Sequence, residues 1–302
     1  METLRTILVH RRAHMRATTI FALAVTVARV FTTIPLASAD GYTFATIDFP
    51  GASLTVASGI NNAGAVVGNY QNNSGTHGFL NTADRLDTID VPNSSLTIAS
   101  GINGAGEIVG WFRDSAGFHG FLRRSGSFTA IDVPGAGRTL ACGIDDAGNI
   151  VGFFDRNDGH SHGFLYTDGK FTTIDVPGGL STETVHINDA GHVVGQFLTA
   201  ARPHAFLKVG SKFVIIDVPG AAVTQAFSEN GAGQIVGVLT NDTGSHGFLY
   251  SGKSFTIIDV PGARATAAKD INDKRQIVGV FADGVGTHGF LATPAPDLPM
   301  PR

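Results

Sequence analysis

Apolar residues in this chain come in short runs of four to six, broken at close intervals by turn formers, with no ten-residue apolar stripe at helical spacing. In one stretch, the segments Phe128 to Val133, Thr139 to Ile144, Asn149 to Phe154 and His162 to Tyr166 read as strands. Between them lie Pro134-Gly135, Asp145 to Gly148, and Asn157 to Gly159. Proline fixes φ, glycine supplies positive φ, and Asn or Asp bonds its own turn, so each cluster ends a strand for its own reason.

The pattern repeats. The Asp of an Ile-Asp-x-Pro motif falls at Asp48, Asp90, Asp132, Asp175, Asp217 and Asp259, at intervals of 42, 42, 43, 42 and 42. The His of a His-(Gly/Ala)-Phe-Leu motif falls at His77, His119, His162, His204, His246 and His288, at intervals of 42, 43, 42, 42 and 42. One four-stranded sheet cannot hide both its faces, whereas six arranged radially bury each face against a neighbour. The expected fold is therefore all-β, a six-bladed propeller of four-stranded blades over residues 40–293, with a β-solenoid as the alternative. The last unit lacks the hairpin partner that follows each earlier His-Gly-Phe-Leu. Residues 44–48 are accordingly expected to supply the outer strand of the final blade and fasten the ring.

Outside the repeats, residues 1–39 read as an export signal. Arg5, Arg11, Arg12 and Arg16 precede an apolar run from Ile20 to Val27, and Ala37, Ser38 and Ala39 are the small residues a signal peptidase selects. The competing reading is a retained membrane anchor, against which Arg29 and Pro35 interrupt the segment. Residues 294–302 read as a proline-rich tail. Cleavage after Ala39 removes five of 21 basic and one of 25 acidic residues, leaving 16 against 24 and a net charge of −8. No basic run remains to neutralise phosphates, so nucleic acid is not an expected partner. Cys142 is the only cysteine, which excludes an internal disulfide. A secreted or periplasmic monomer without a cofactor is expected.

The triplet His204-Ala205-Phe206, its five glycine variants such as His77-Gly78-Phe79, and the accompanying Gly101-Ile102-Asn103 and Ile108-Val109-Gly110 resemble the bacterial extracellular HAF-repeat family. That resemblance covers residues 44–291 and implies an exported, propeller-like protein, with no common activity to carry over.

Six histidines in register read as structure, because a catalytic group is needed once and a blade-forming group in every blade. Together with the recurring Asp and Thr55, Thr97, Thr139, Thr182, Thr224 and Thr266, they are expected to form hydrogen-bond networks between strands. Function is expected where one copy departs from the rest. Such departures are Trp111 with Arg113 in the second copy, and Glu183, His186, Glu229, Lys269 and Asp270 in the last three. The loop Asp155 to His160 alternates oxygen ligands but places Tyr166 where a calcium loop needs a bidentate Glu. No zinc signature, nucleophile elbow or phosphate loop occurs, and no metal is expected. The leading reading is an exported noncatalytic recognition module for a carbohydrate or extracytoplasmic protein. Its alternative is a polysaccharide lyase or hydrolase using His186, Glu183 and Lys269.

Overall fold

In the computed structural model, residues 36–39, 41–83 and 85–296 are described, and every regular element among them is a strand. The expected export segment lies outside the described residues except for residues 36–39, as does the end of the tail beyond 296. No helix among the described residues is long and apolar enough to cross a membrane.

Leu36–Ala39 and Tyr42–Ile47 are β1 and β2. Four-stranded antiparallel sets follow: Leu54–Ile60, Val66–Asn72, Gly75–Thr82 and Arg85–Ile89 (β3 to β6), then Leu96–Ile102, Ile108–Arg113, Phe118–Arg124 and Ser127–Ile131 (β7 to β10). Arg138–Ile144, Ile150–Asp155, Ser161–Thr167 and Lys170–Ile174 (β11 to β14) form the third set, and Ser181–Ile187, Val193–Leu198, Pro203–Val209 and Lys212–Ile215 (β15 to β18) the fourth. Val223–Glu229, Ile235–Asn241, Gly244–Ser251 and Ser254–Ile257 (β19 to β22) form the fifth, and Ala265–Ile271, Ile277–Ala282 and Thr287–Pro294 (β23 to β25) end the chain.

The sheets are offset by one strand from the sequence repeat. Phe128 to Ile131 opens a sequence copy but hairpins back onto the preceding set, Ile131 opposite Gly120. The same offset leaves β2 without a preceding set, and it pairs instead with β25, Ala45 opposite Leu291 and Ile47 opposite Gly289. β1 adds to the free edge of β2, Leu36 opposite Phe44. Because β25 runs through Pro294 and the Ala295 N–H donates to Gly41 O at 2.7 Å, ordered pairing extends past the expected domain end at 293.

Each set is built on one phenylalanine. Phe79, Phe121, Phe164, Phe206, Phe248 and Phe290 are fully buried, worth about 2 to 3 kcal/mol each in surface removed from water. The ring of Phe164 lies on Gly152 of the Ile-Val-Gly motif. A Cβ there would stand 2.0 Å from Leu140 O and 2.9 Å from the ring, so the two motifs are halves of one packing unit. Gly279 and Phe290 repeat the arrangement in the last set.

Successive sets are stitched through the turn after each first strand. Asn61 Oδ1 accepts from the Ala63 and Ala65 N–H groups, while its Nδ2 donates to Asn103 O at 3.0 Å. Asn103 donates likewise to Asp145 O, Asn230 to Asn272 O, and Asn272 to Asn61 O at 3.1 Å. The last set thus bonds the first through the same contact that joins the first to the second, and β23 runs beside β3 as β3 runs beside β7. Asp145 has no amide to give. Its carboxylate instead accepts from Asn149 N and Nδ2, and Asp146 N donates to Asp189 Oδ1 while Thr184 Oγ1 donates to Gly152 O.

Candidate functional site

The recurring histidines pair with the recurring aspartates. Nδ1 of His77, His119, His162, His204, His246 and His288 lies 2.8, 3.0, 2.9, 2.7, 2.6 and 3.0 Å from Asp90, Asp132, Asp175, Asp217, Asp259 and Asp48. In three copies Nε2 hydrogen-bonds the loop between second and third strands, at Ser74 Oγ (2.9 Å), Asp158 Oδ2 (3.0 Å) and Thr243 Oγ1 (2.8 Å), and in two more it approaches an aspartate there, His119 at 3.4 Å from Asp114 and His288 at 3.7 Å from Asp283. The recurring threonines do not join this pair directly. Thr139 Oγ1 accepts from Val133 N–H, one residue past Asp132, and the other five do the same in their own sets. These contacts fix the loops at one end of each sheet and belong to the architecture.

At Asp155 to His160 the carboxylates are already engaged. Asp155 pairs with Arg138 Nε at 2.8 Å and accepts from Ser161 Oγ, while Asp158 accepts from His160 N. Among the described residues no group of three His, Cys, Asp or Glu side chains is placed to hold a metal ion.

Every first strand carries a β-bulge, at Ser58, Ser100, Cys142, Val185, Phe227 and Lys269. The next residues, Gly59, Gly101 and Gly143, sit where neighbouring first strands nearly touch: a Cβ on Gly143 would stand 2.8 Å from His186 Cα. In the last three sets the equivalents are His186, Ser228 and Asp270. Asp270 Oδ2 accepts from Ile60 N at 2.7 Å and Oδ1 from Ile271 N, with His186 Nε2 3.8 Å from Oδ1. Glu229, only 3% exposed, accepts from Asn188 Nδ2 and pairs with His192 Nδ1 at 2.9 Å. Burial pushes its carboxyl up, against the opposing pull of His192.

Glu183 and His186, adjacent candidates in the sequence, are separated by the bulge at Val185 and bond different partners. The Glu183 carboxylate accepts from Gln196 Nε2, whose Oε1 accepts from Gln225 of the next set. Burial raises the Glu183 carboxyl, opposed by Gln196 and the Arg138 guanidinium. Lys269 Nζ stands 3.7 Å over the Phe227 ring, and burial lowers it to about 8. The Cys142 thiol is pushed up to about 12 by burial and by Glu183, which keeps it protonated and unreactive.

Trp111 lies on β8 opposite Ile98, its ring 5.8 Å from Phe118, and the exposed Arg113 sets its guanidinium 5.4 Å over Phe118. In the third set Arg138 covers Phe153 at 5.6 Å while paired to Asp155. Sequence reasoning missed Phe118, Arg138, Gln196 and Gln225. Comparing copies exposes the first two: Phe118 stands where the others have Thr76, Ser161, Pro203, Ser245 and Thr287, and Arg138 where they have Leu54, Leu96, Ser181, Val223 and Ala265.

No family model matches the chain, and no curated protein matches it. Solved structures do. The β-propeller domain of the Trilobed protease from Pyrococcus furiosus is similar at TM-score 0.55 and 11% identity, over 83% of this chain and 84% of that one. The fold is a β-propeller. TolB from Acinetobacter baumannii gives 0.56 at 9% identity, over 82% of this propeller and 65% of that chain. A lectin from Aleuria aurantia in complex with Fucα1-6GlcNAc gives 0.52 at 13% identity, over 83% and 98%.

Proposed function

We propose that the propeller has six blades, closed by β2 in the last, and is an exported noncatalytic recognition module of the HAF-repeat kind whose ligand is a carbohydrate. The carrying observation is the Trp111 and Phe118 ring pair with Arg113 across it, a feature of one blade that no other copy repeats. An indole offers the apolar C–H face of a sugar a flat contact, and guanidinium groups orient hydroxyls at its edge. The lectin likeness supports a propeller of this size as a saccharide scaffold. The net charge of −8 after cleavage favours neutral over acidic glycans.

A glycan array probed with the wild type and Trp111→Ala tests the reading. The expected result is a defined set of neutral glycan hits whose affinity falls about tenfold or more in the variant, with the melting temperature unchanged. A blank array with capture of an extracytoplasmic protein, or hits indifferent to Trp111, overturns it. The Glu183 carboxyl, pushed up by burial, is the one observation favouring a lyase or hydrolase, since a raised carboxyl suits a group asked to donate a proton to a leaving group. Release of reducing-end or unsaturated products, abolished by Glu183→Gln, moves the assignment there.

A further inference from the structure

Trp111 and Phe153 hold the same place in consecutive sets. Trp111 lies opposite Ile98 on one neighbouring strand and Gly120 on the other, as Phe153 lies opposite Leu140 and Gly163. Residues opposite one another in a ladder share a face of the sheet. A Cβ on Gly120 would stand 3.3 Å from Ala141 of the third set, and one on Gly163 2.7 Å from Thr184 of the fourth. Each ring is therefore on the face turned to the next set, Trp111 at the seam between the second and third and Phe153 at the seam between the third and fourth. The other four sets place Asn69, Gln196, Val238 and Val280 there, the two valines buried, so the repeat does not call for an aromatic.

Both seams add a guanidinium to the aromatic surface, from different positions. Arg113, two residues along the strand from Trp111, covers Phe118, whereas Arg138, on the first strand of the third set, covers Phe153 at 5.6 Å. The same chemistry reached through unrelated substitutions is not a by-product of repetition. Arg138 presents Nε and Nη2 to Asp155, which leaves Nη1 without a hydrogen-bond partner among the described residues. The Asp155 side chain is 37% exposed. A donor and an acceptor of opposite charge thus stand together beside one ring.

We infer that Phe153, Arg138 and Asp155 form a second saccharide subsite, one set along from Trp111, and that the ligand is a neutral oligosaccharide engaging both. This inference rests on the saccharide reading and adds the length of the ligand to it. Sheets packed face to face lie about 10 Å apart, so equivalent rings in consecutive sets stand farther apart than one sugar covers and within reach of two or three linked sugars. A hydroxyl both donates and accepts, which suits it to Asp155 and the Arg138 Nη1 end together. A carboxylated sugar would meet Asp155 and, across the seam, Glu183, which lies in the field of the same arginine and aspartate.

The test is titration of the protein with ladders of gluco-, manno- and chito-oligosaccharides of increasing length. On a ladder that binds, affinity is expected to rise about tenfold or more from the monosaccharide to the trisaccharide, because the second contact is made by a sugar already tethered. Phe153→Ala flattens that rise, while Trp111→Ala lowers the whole ladder. Arg138→Gln also flattens it and keeps the ring in place, so it reports on the subsite even where loss of the ring loosens packing. A flat ladder in the wild type, or a rise that survives both Phe153→Ala and Arg138→Gln, overturns the second subsite and leaves the single-platform reading standing. No binding on any ladder overturns both.

Discussion

A histidine held by an aspartate in every set differs from copy to copy in what its other nitrogen meets. His162 sits between Asp175 and Asp158, and although burial opposes its charge, the hydrogen bonds and charges of the two carboxylates together raise its pKa. Asp158 is held below its usual range by the His160 N–H and by His162. A raised histidine stabilises the fold fully below its unfolded value, about 6.5, and loses that contribution as pH climbs through the folded value. The lowered Asp158 works the other way, losing its contribution as pH falls below about 4. In denaturant unfolding, the stability gap between the wild type and His162→Gln is expected to be widest near pH 5 to 6 and to shrink toward pH 8. A gap that grows over that range contradicts the pairing. The His-Asp partnership was legible because both residues keep a fixed offset. The threonine's target was not, since Oγ1 serves the amide one residue beyond the aspartate, and no side-chain pattern marks a backbone donor. The Glu183, Gln196 and Gln225 chain crosses from one set to the next and has no period to reveal it.

At the level of strands, the sequence repeat and the folded sheet are out of phase by one strand. The short link after each His-Gly-Phe-Leu made that visible as a hairpin, and the unmatched strand at the start pointed to the unmatched edge at the end. The bulge in every first strand was hidden, because an extra residue present in all six copies leaves the 42-residue spacing undisturbed. Ala37 to Ala39, read as a processing site, also form β1 on the edge of β2, a pairing that small side chains do not announce. Phe44 on β2 is 2% exposed and tilts against Phe290 at 5.8 Å. If β2 is integral to the last sheet, Phe44→Ala costs about 3 to 5 kcal/mol in equilibrium unfolding, the price of a core aromatic. A loss below about 1 kcal/mol would mean that the last sheet stands without it.

For the molecule as a whole, the division of labour is between what every set repeats and what one set alone carries. Phenylalanine wedges and His-Asp pairs recur in every set, asparagine stitches in four, and they account for architecture. Trp111, Phe118 and Arg113 occur once each at their positions and carry the proposed binding face. Glu183, His186 and Lys269, nominated together for catalysis, bond Gln196, approach Asp270 and lie over Phe227 respectively. The proposed recognition role rests on the Trp111 and Phe118 ring pair, and its defining property is saturable binding without turnover. The most direct measurement is calorimetric titration of the protein with its best neutral oligosaccharide, with the recovered ligand weighed by mass spectrometry. Stoichiometric heat and an oligosaccharide of unchanged mass are predicted; absence of heat, or recovery of cleaved product, would contradict the account.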